Sequence, residues 1–134
     1  MIDASVALAW CFPDEANDYA DAALLAVKGQ ALHVPSIWPV ELTNALLVGE
    51  RRKRIRHAEV RRFMELLQGL HIVQDGQSVS ETINNLSPLA HSYSLTAYDA
   101  AYLDVAIRHG LPLATFDDAL LRAARAADIM VFKG

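Results

Sequence analysis

An α/β domain with a mostly parallel central sheet flanked by helices on both faces is the fold class this sequence predicts. Three observations predict it. Short apolar runs of strand length, ALHVP at 31–35, HIV at 71–73, LPLAT at 111–115 and IMVF at 129–132, alternate with longer segments whose apolar residues recur at helical spacing. Strands separated by helices imply right-handed crossovers and parallel pairing. Finally, 134 residues, 53% of them hydrophobic and 21% charged, suffice for one core, so residues 1–134 are expected to form a single domain.

Taken in order, Ile2 ahead of Asp3 reads as the remnant of an apparently truncated first strand. Residues 14–28, DEANDYADAALLAVK, open with acids and close with Lys28 and then Gly29, predicting a helix with its dipole complemented. ALHVP is a buried strand ending at Pro35, and Pro39 suits the first turn of the next helix, PVELTNALLVGERRK. HAEVRRFMELLQGL carries Val60, Phe63, Met64 and Leu67 at helical spacing and completes a helical hairpin with it. HIV is a second strand. A helix is expected from Ser78 toward Leu86, with Pro88 disturbing its continuation. Thr96 opens a helix with Ala97, Ala101 and Val105 among its small or apolar positions and Gly110 as its stop. LPLAT, the helix FDDALLRAARAAD and the strand IMVF complete the chain.

Composition removes several function classes. Cys11 is the only cysteine, so no internal disulfide and no Cys-based zinc site is expected. His33, His57, His71, His91 and His109 lie at no metal-binding spacing. No apolar run reaches the length of a membrane span and no secretion signal is recognisable, so the expectation is a cytoplasmic protein without a membrane partner. A Walker loop, a GxGxxG and a GxSxG elbow are all missing. The net charge of −4 is divided unevenly: residues 50–62, ERRKRIRHAEVRR, carry +5 and the remainder −9. Such a run is either a solvated helix face or a track for a phosphate backbone, and Arg51, Arg52, Lys53, Arg54 and Arg56 continue the helix that begins near Glu41.

Four acids occupy equivalent places. Asp3 follows the first apolar residues, Glu41 and Asp99 lie just inside helices, and Asp117 follows LPLAT. In an open parallel sheet such positions gather at the carboxyl edge of the strands, where ligands bind. Singly, each also reads as a helix cap or first-turn acid; Thr96 and Asp99 in SLTAYDAAYL resemble a capping box. Together, four carboxylates repel unless a cation neutralises them. Hard oxygen ligands without Cys or clustered His point to Mg²⁺ or Mn²⁺, and Mg²⁺ sites of this kind take phosphate oxygens and activate water. Asp14, Glu15, Asp18 and Asp21 read as helix N-terminal acids, and Asp104 lies partly off the Asp99 face. Asp118 competes with Asp117 for the fourth position, and Asp117 is preferred.

The segments IDASVALAWCFPDE (2–15), VPSIWPVELTNAL (34–46), LTAYDAAYLDVA (95–106) and LPLATFDDAL (111–120) resemble, in order and spacing, PIN-domain ribonucleases, and within them the VapC-type toxins of toxin-antitoxin pairs. The resemblance spans essentially the whole chain. It implies a PIN-like fold, with Asp3, Glu41, Asp99 and Asp117 as the metal-site and catalytic acids. Ser5 and Thr115 would support them. It further implies metal-dependent endonucleolytic cleavage of RNA, inhibition by a cognate VapB-type antitoxin, and a homodimer. Two other readings stand beside it: a metal-dependent phosphoesterase with another substrate such as DNA, and a catalytically silent PIN-like binding module.

Overall fold

Caps and turn residues in the sequence fix where most elements start. The computed structural model describes residues 1–134. Asp3 caps α1 (Ala4–Leu8), accepting from the Val6 N–H. Pro13–Glu15 then forms a 3-10 turn, and Asn17 accepts from the Ala20 N–H to start α2 (Asp18–Val27). The helix expected over 14–28 is shorter because Asn17 is the better cap, with its side-chain oxygen on an otherwise orphaned donor. Strand β1 (Ala31–Val34) leads to α3 (Trp38–Arg51), with Pro39 in its first turn, and to α4 (His57–Gln68). Strand β2 (His71–Gln74) lies parallel to β1, with Ala31 opposite His71 and Val34 opposite Gln74.

The reading of Pro88 as a disturbance needs correction: α5 (Val79–Tyr93) runs straight through it. Pro88 is solvent-exposed, α5 packs along α6, and the Ser78–Glu81 capping box fixes its start. A proline at this position forfeits one helical hydrogen bond while the packing of the whole helix remains. Thr96 caps α6 (Ala97–His109), which ends at Gly110 in the left-handed conformation, φ +61°. The buried face of α6 is Ala100, Tyr102, Leu103, Val105 and Ala106, while Ala97 is exposed and Ala101 half-buried. Asp117 caps α7 (Asp118–Ala126).

LPLAT and IMVF form fewer pairs than full strands would. Ile2 bridges Ala114 and Leu113 bridges Val131, both in parallel. The Asp3 N–H donates to the Ala114 carbonyl at 3.1 Å, the Ala114 N–H to the Met1 carbonyl at 3.0 Å, and the Phe132 N–H to the Leu113 carbonyl at 2.9 Å. Pro112 has no N–H with which to extend the ladder. The consequence is an α/β domain in which every strand pairing is parallel. Val6, Leu32, Phe63, Leu103, Leu113 and Leu120 fill its core. No helix is long and apolar enough to cross a membrane.

Candidate active site

Four helix N-termini carry the four acids. Asp3 and Asp117 are the N-caps of α1 and α7, Glu41 sits in the first turn of α3, and Asp99 in the first turn of α6. Each helix presents its positive end, which favours a nearby carboxylate.

Asp3 is the most tightly held. It is buried, and both of its oxygens are engaged: the Ser5 hydroxyl donates to Oδ1 at 2.7 Å, the Val6 N–H donates to the same oxygen at 3.1 Å, and the Thr115 hydroxyl donates to Oδ2. The same hydroxyls bind the next strand–helix junction. The Phe116 N–H donates to Ser5 Oγ at 3.2 Å and the Asp117 N–H to Thr115 Oγ1 at 3.0 Å. Ser5 and Thr115 therefore tie the first and fourth acids into one network.

The acids sense one another. Burial raises the Asp3 carboxyl above its ordinary range, the three hydrogen bonds pull it back, and the charge of Asp117 pushes it up again. Burial likewise raises Glu41; the neighbouring Tyr102 hydroxyl opposes the shift, and Asp3 and Asp99 add to it. Asp99 is raised by burial and by Asp117, against the Thr96 hydroxyl. Asp117, not Asp118, is thus the acid whose charge reaches both Asp3 and Asp99. In all three, burial is the main cause and the neighbouring carboxylates add to it.

Two buried polar atoms here lack hydrogen-bond partners: Glu41 Oε1 and the Tyr102 hydroxyl. They lie close enough to influence each other's titration, yet they do not close a bond of good geometry. Tyr102 was not singled out from the sequence. It stands three residues after Asp99 on α6, so the helical i, i+3 relation is the signal that points to it. An unsatisfied buried carboxylate oxygen among hard oxygen donors suits a divalent cation such as Mg²⁺ or Mn²⁺. As the side chains stand, no three carboxylate, histidine or cysteine groups converge closely enough to grip an ion.

Thr96 accepts from the Asp99 N–H at 3.1 Å, but the Asp99 carboxylate makes no return bond to the Thr96 N–H. Only half of the expected capping box forms, and Asp99 is left facing the other acids. Asp104 belongs elsewhere: Gln77 donates to it at 3.0 Å and Arg108 at 2.9 Å, with Arg108 also bonding Asp75.

The basic run lies at the other end of α3. Arg52 caps that end, eleven residues past Glu41, or about 16 Å along the axis. Arg54 is spent on Asp14 and Glu15 and on the Phe12 ring, 4.6 Å from its centroid. Arg56 pairs with Glu59. Arg51, Arg52 and Lys53 remain exposed and form no ion pair.

A family model described as "PIN domain" matches residues 1–126. Ribonuclease VapC3 of Pyrobaculum aerophilum is 30% identical over 117 residues, which is 87% of this chain and 88% of that protein. The crystal structure of PAE2754 from Pyrobaculum aerophilum superposes with a TM-score of 0.67 at 26% identity, covering 91% of this chain and 76% of that one. With the acids at the N-termini of α1, α3, α6 and α7 and a family match over residues 1–126, this chain belongs to the PIN domain family.

Proposed function

We propose that this protein is a metal-dependent endoribonuclease that acts as the toxin of a toxin-antitoxin pair. The observation that carries the reading is the set of acids Asp3, Glu41, Asp99 and Asp117, three of them raised and one retaining an unpartnered buried oxygen. The name of the relative, Ribonuclease VapC3, supports RNA as the substrate and a VapB-type antitoxin as the partner.

Asp3, Glu41, Asp99 and Asp117 would hold Mg²⁺ or Mn²⁺. When bound, such an ion activates a water and neutralises charge on the phosphodiester and the leaving 3′ oxygen. Ser5 and Thr115 orient Asp3 and favour its ionised form against burial, and Thr115 passes the same constraint to Asp117 through its N–H. Glu41 supplies a further anionic oxygen from a rigid helix, with Tyr102 positioned behind it. No protein nucleophile is required. Cys11 is buried, and burial together with Glu59 and Glu15 pushes its thiol up to about 11, so it stays protonated at neutral pH.

Arg51, Arg52 and Lys53 are assigned to distal phosphates of a long RNA, with Arg54 and Arg56 positioned mainly by their acidic partners. Leu25, Val40 and Leu47, exposed by 66%, 59% and 46%, are assigned to the antitoxin or to a second subunit of a homodimer.

The test is cleavage of a structured-RNA pool by wild type and Asp99→Asn with Mg²⁺, with Mn²⁺ and with EDTA, with folding checked by circular dichroism. Metal-dependent cutting that disappears in folded Asp99→Asn is expected. Equal cutting by both proteins would remove Asp99 from the site, because Asn serves a cap nearly as well as Asp.

A further inference from the structure

A groove of about 710 Å³ opens beside Thr115, and part of its aromatic floor, Phe116, belongs to the loop that leads into Asp117. Phe116 sits between Thr115, whose hydroxyl holds Asp3, and Asp117, the fourth acid, about 3.8 Å of backbone from each. Its N–H is fixed on Ser5 Oγ, while the residue is 43% exposed. Tyr19 backs that ring, with centroids 5.4 Å apart and planes tilted by 50°. Tyr19 is itself anchored: its hydroxyl donates to the Phe132 carbonyl at 3.1 Å and its ring meets Phe132 edge-on at 5.6 Å. Arg125 and Lys133, both exposed, line the same groove.

We propose that this groove is a nucleobase-stacking subsite, in which Phe116, supported by Tyr19, receives one unpaired base of a single-stranded RNA adjoining the cleaved phosphodiester, while Arg125 and Lys133 contact its phosphates. The assignment rests on the endoribonuclease reading. Charge complementarity decides the occupant. An apolar platform bordered by two cations and abutting a phosphodiester site matches the alternation of flat base and anionic backbone. Rigidity matters as well: the Phe116 backbone is held by the Ser5 hydrogen bond, so its ring is placed in register with the acids before substrate arrives. Duplex RNA does not satisfy this geometry, since its bases are already stacked on one another. Phe116 is thus a specificity-determining residue that favours loops and single strands.

The experiment measures binding rather than cleavage. Fluorescence anisotropy in EDTA would compare a labelled single-stranded oligoribonucleotide, an abasic oligomer of the same length, and a duplex. The proteins are wild type, Phe116→Ala, Phe116→Leu and Phe116→Tyr, each checked for an unchanged thermal melt. Wild type should prefer the base-bearing single strand over the abasic one by about tenfold, in the range that base–aromatic stacking supplies. Phe116→Ala and Phe116→Leu should lose that preference and Phe116→Tyr should keep it, with abasic binding unchanged throughout. The proposal is overturned if wild type binds base-bearing and abasic strands alike, or if Phe116→Ala leaves the preference intact; the groove then belongs to a protein partner. Wild type that shows the preference in EDTA but cuts nothing with Mg²⁺ would sink the nuclease reading and leave the stacking subsite standing.

Discussion

Replacing Thr115 with Val keeps shape and volume while deleting one hydroxyl, which isolates what that hydroxyl does. Thr115 is 2% exposed and Asp3 is 5% exposed, so water cannot substitute for the lost donor. Two bonds disappear: the one to Asp3 Oδ2 and the one accepted from the Asp117 N–H. A hydrogen bond to a charged partner contributes about 1.5–3 kcal/mol and a neutral one about 1 kcal/mol, so Thr115→Val should cost about 2–4 kcal/mol at pH 7.5 in EDTA. The pH dependence separates this mechanism from simple packing loss. The Thr115 bond favours ionised Asp3, so deleting it raises further a carboxyl that burial already raises. For an acid whose folded value lies above its unfolded one, the folded state holds the proton more tightly, and the penalty for ionisation grows as pH rises through the folded value. The cost of Thr115→Val should therefore shrink toward about 1–2 kcal/mol as pH is lowered from 7.5 to 4.5 and the neutral form of Asp3 is increasingly favoured. Urea unfolding at both pH values, with m compared between the proteins, gives the numbers. Mg²⁺ titration followed by the thermal midpoint should also show about 10–100-fold weaker binding, the range for losing a group that orients a ligand. An equal cost at both pH values, or unchanged Mg²⁺ binding, would refute the claim that Thr115 works through the Asp3 charge.

Asp99→Asn should raise the thermal midpoint of the metal-free protein, because it removes a carboxylate that burial and Asp117 disfavour; scanning calorimetry in EDTA reads this, and a lower midpoint would mean the Asp99 charge stabilises the positive end of α6 more than burial and Asp117 oppose it. Thr96→Ala, by contrast, deletes the true cap of α6 and should cost about 1 kcal/mol by the same measurement. At Gly49 a Cβ would stand 2.6 Å from the Phe12 ring and 3.3 Å from Ile55, so Gly49→Ala should destabilise by about 1–2 kcal/mol: overpacking of about 2–3 kcal/mol outweighs a helix-propensity gain of about 1 kcal/mol, as urea unfolding would show. Arg108→Ala should cost about 2–3 kcal/mol at pH 7 by leaving Asp75 and buried Asp104 without their cation. Burial alone would lift Asp75, but the Arg108 and Gln77 hydrogen bonds hold it below its ordinary 3.8, so its share of this stability is present above that value and fades as pH falls through the still lower folded value.

Much of the architecture was legible because it depends on local chemistry. Ser78, Thr96 and Asp117 start helices through bonds to N–H groups of the first turn, and Gly110 stops one through a backbone conformation that glycine enters without strain; Asn17 caps α2 in the same way but inside the span 14–28 expected to be helical. The four acids were visible for the same reason, since the junctions between elements can be read along the chain. Elements governed by packing or pairing were less so. Pro88 does not end α5, because contact with α6 outweighs one lost hydrogen bond, and LPLAT and IMVF make single bridges because strand length depends on the partner.

By itself, then, the sequence determined the α/β order and most helix starts, and it singled out Asp3, Glu41, Asp99 and Asp117 as candidate acids, all of which follow from residue type and spacing. Only the tertiary structure decided that Thr115 and Ser5 join Asp3 to the Asp117 loop, that Asp117 rather than Asp118 is coupled to the other acids, and that Tyr102 stands unpartnered beside Glu41. It likewise decided that Arg54 is consumed by Asp14 and Glu15, and that Tyr19 lies beneath Phe116 across ninety-seven positions of chain. Those facts depend on through-space proximity between residues distant in sequence, and charge coupling, burial and stacking have no local pattern from which they can be read.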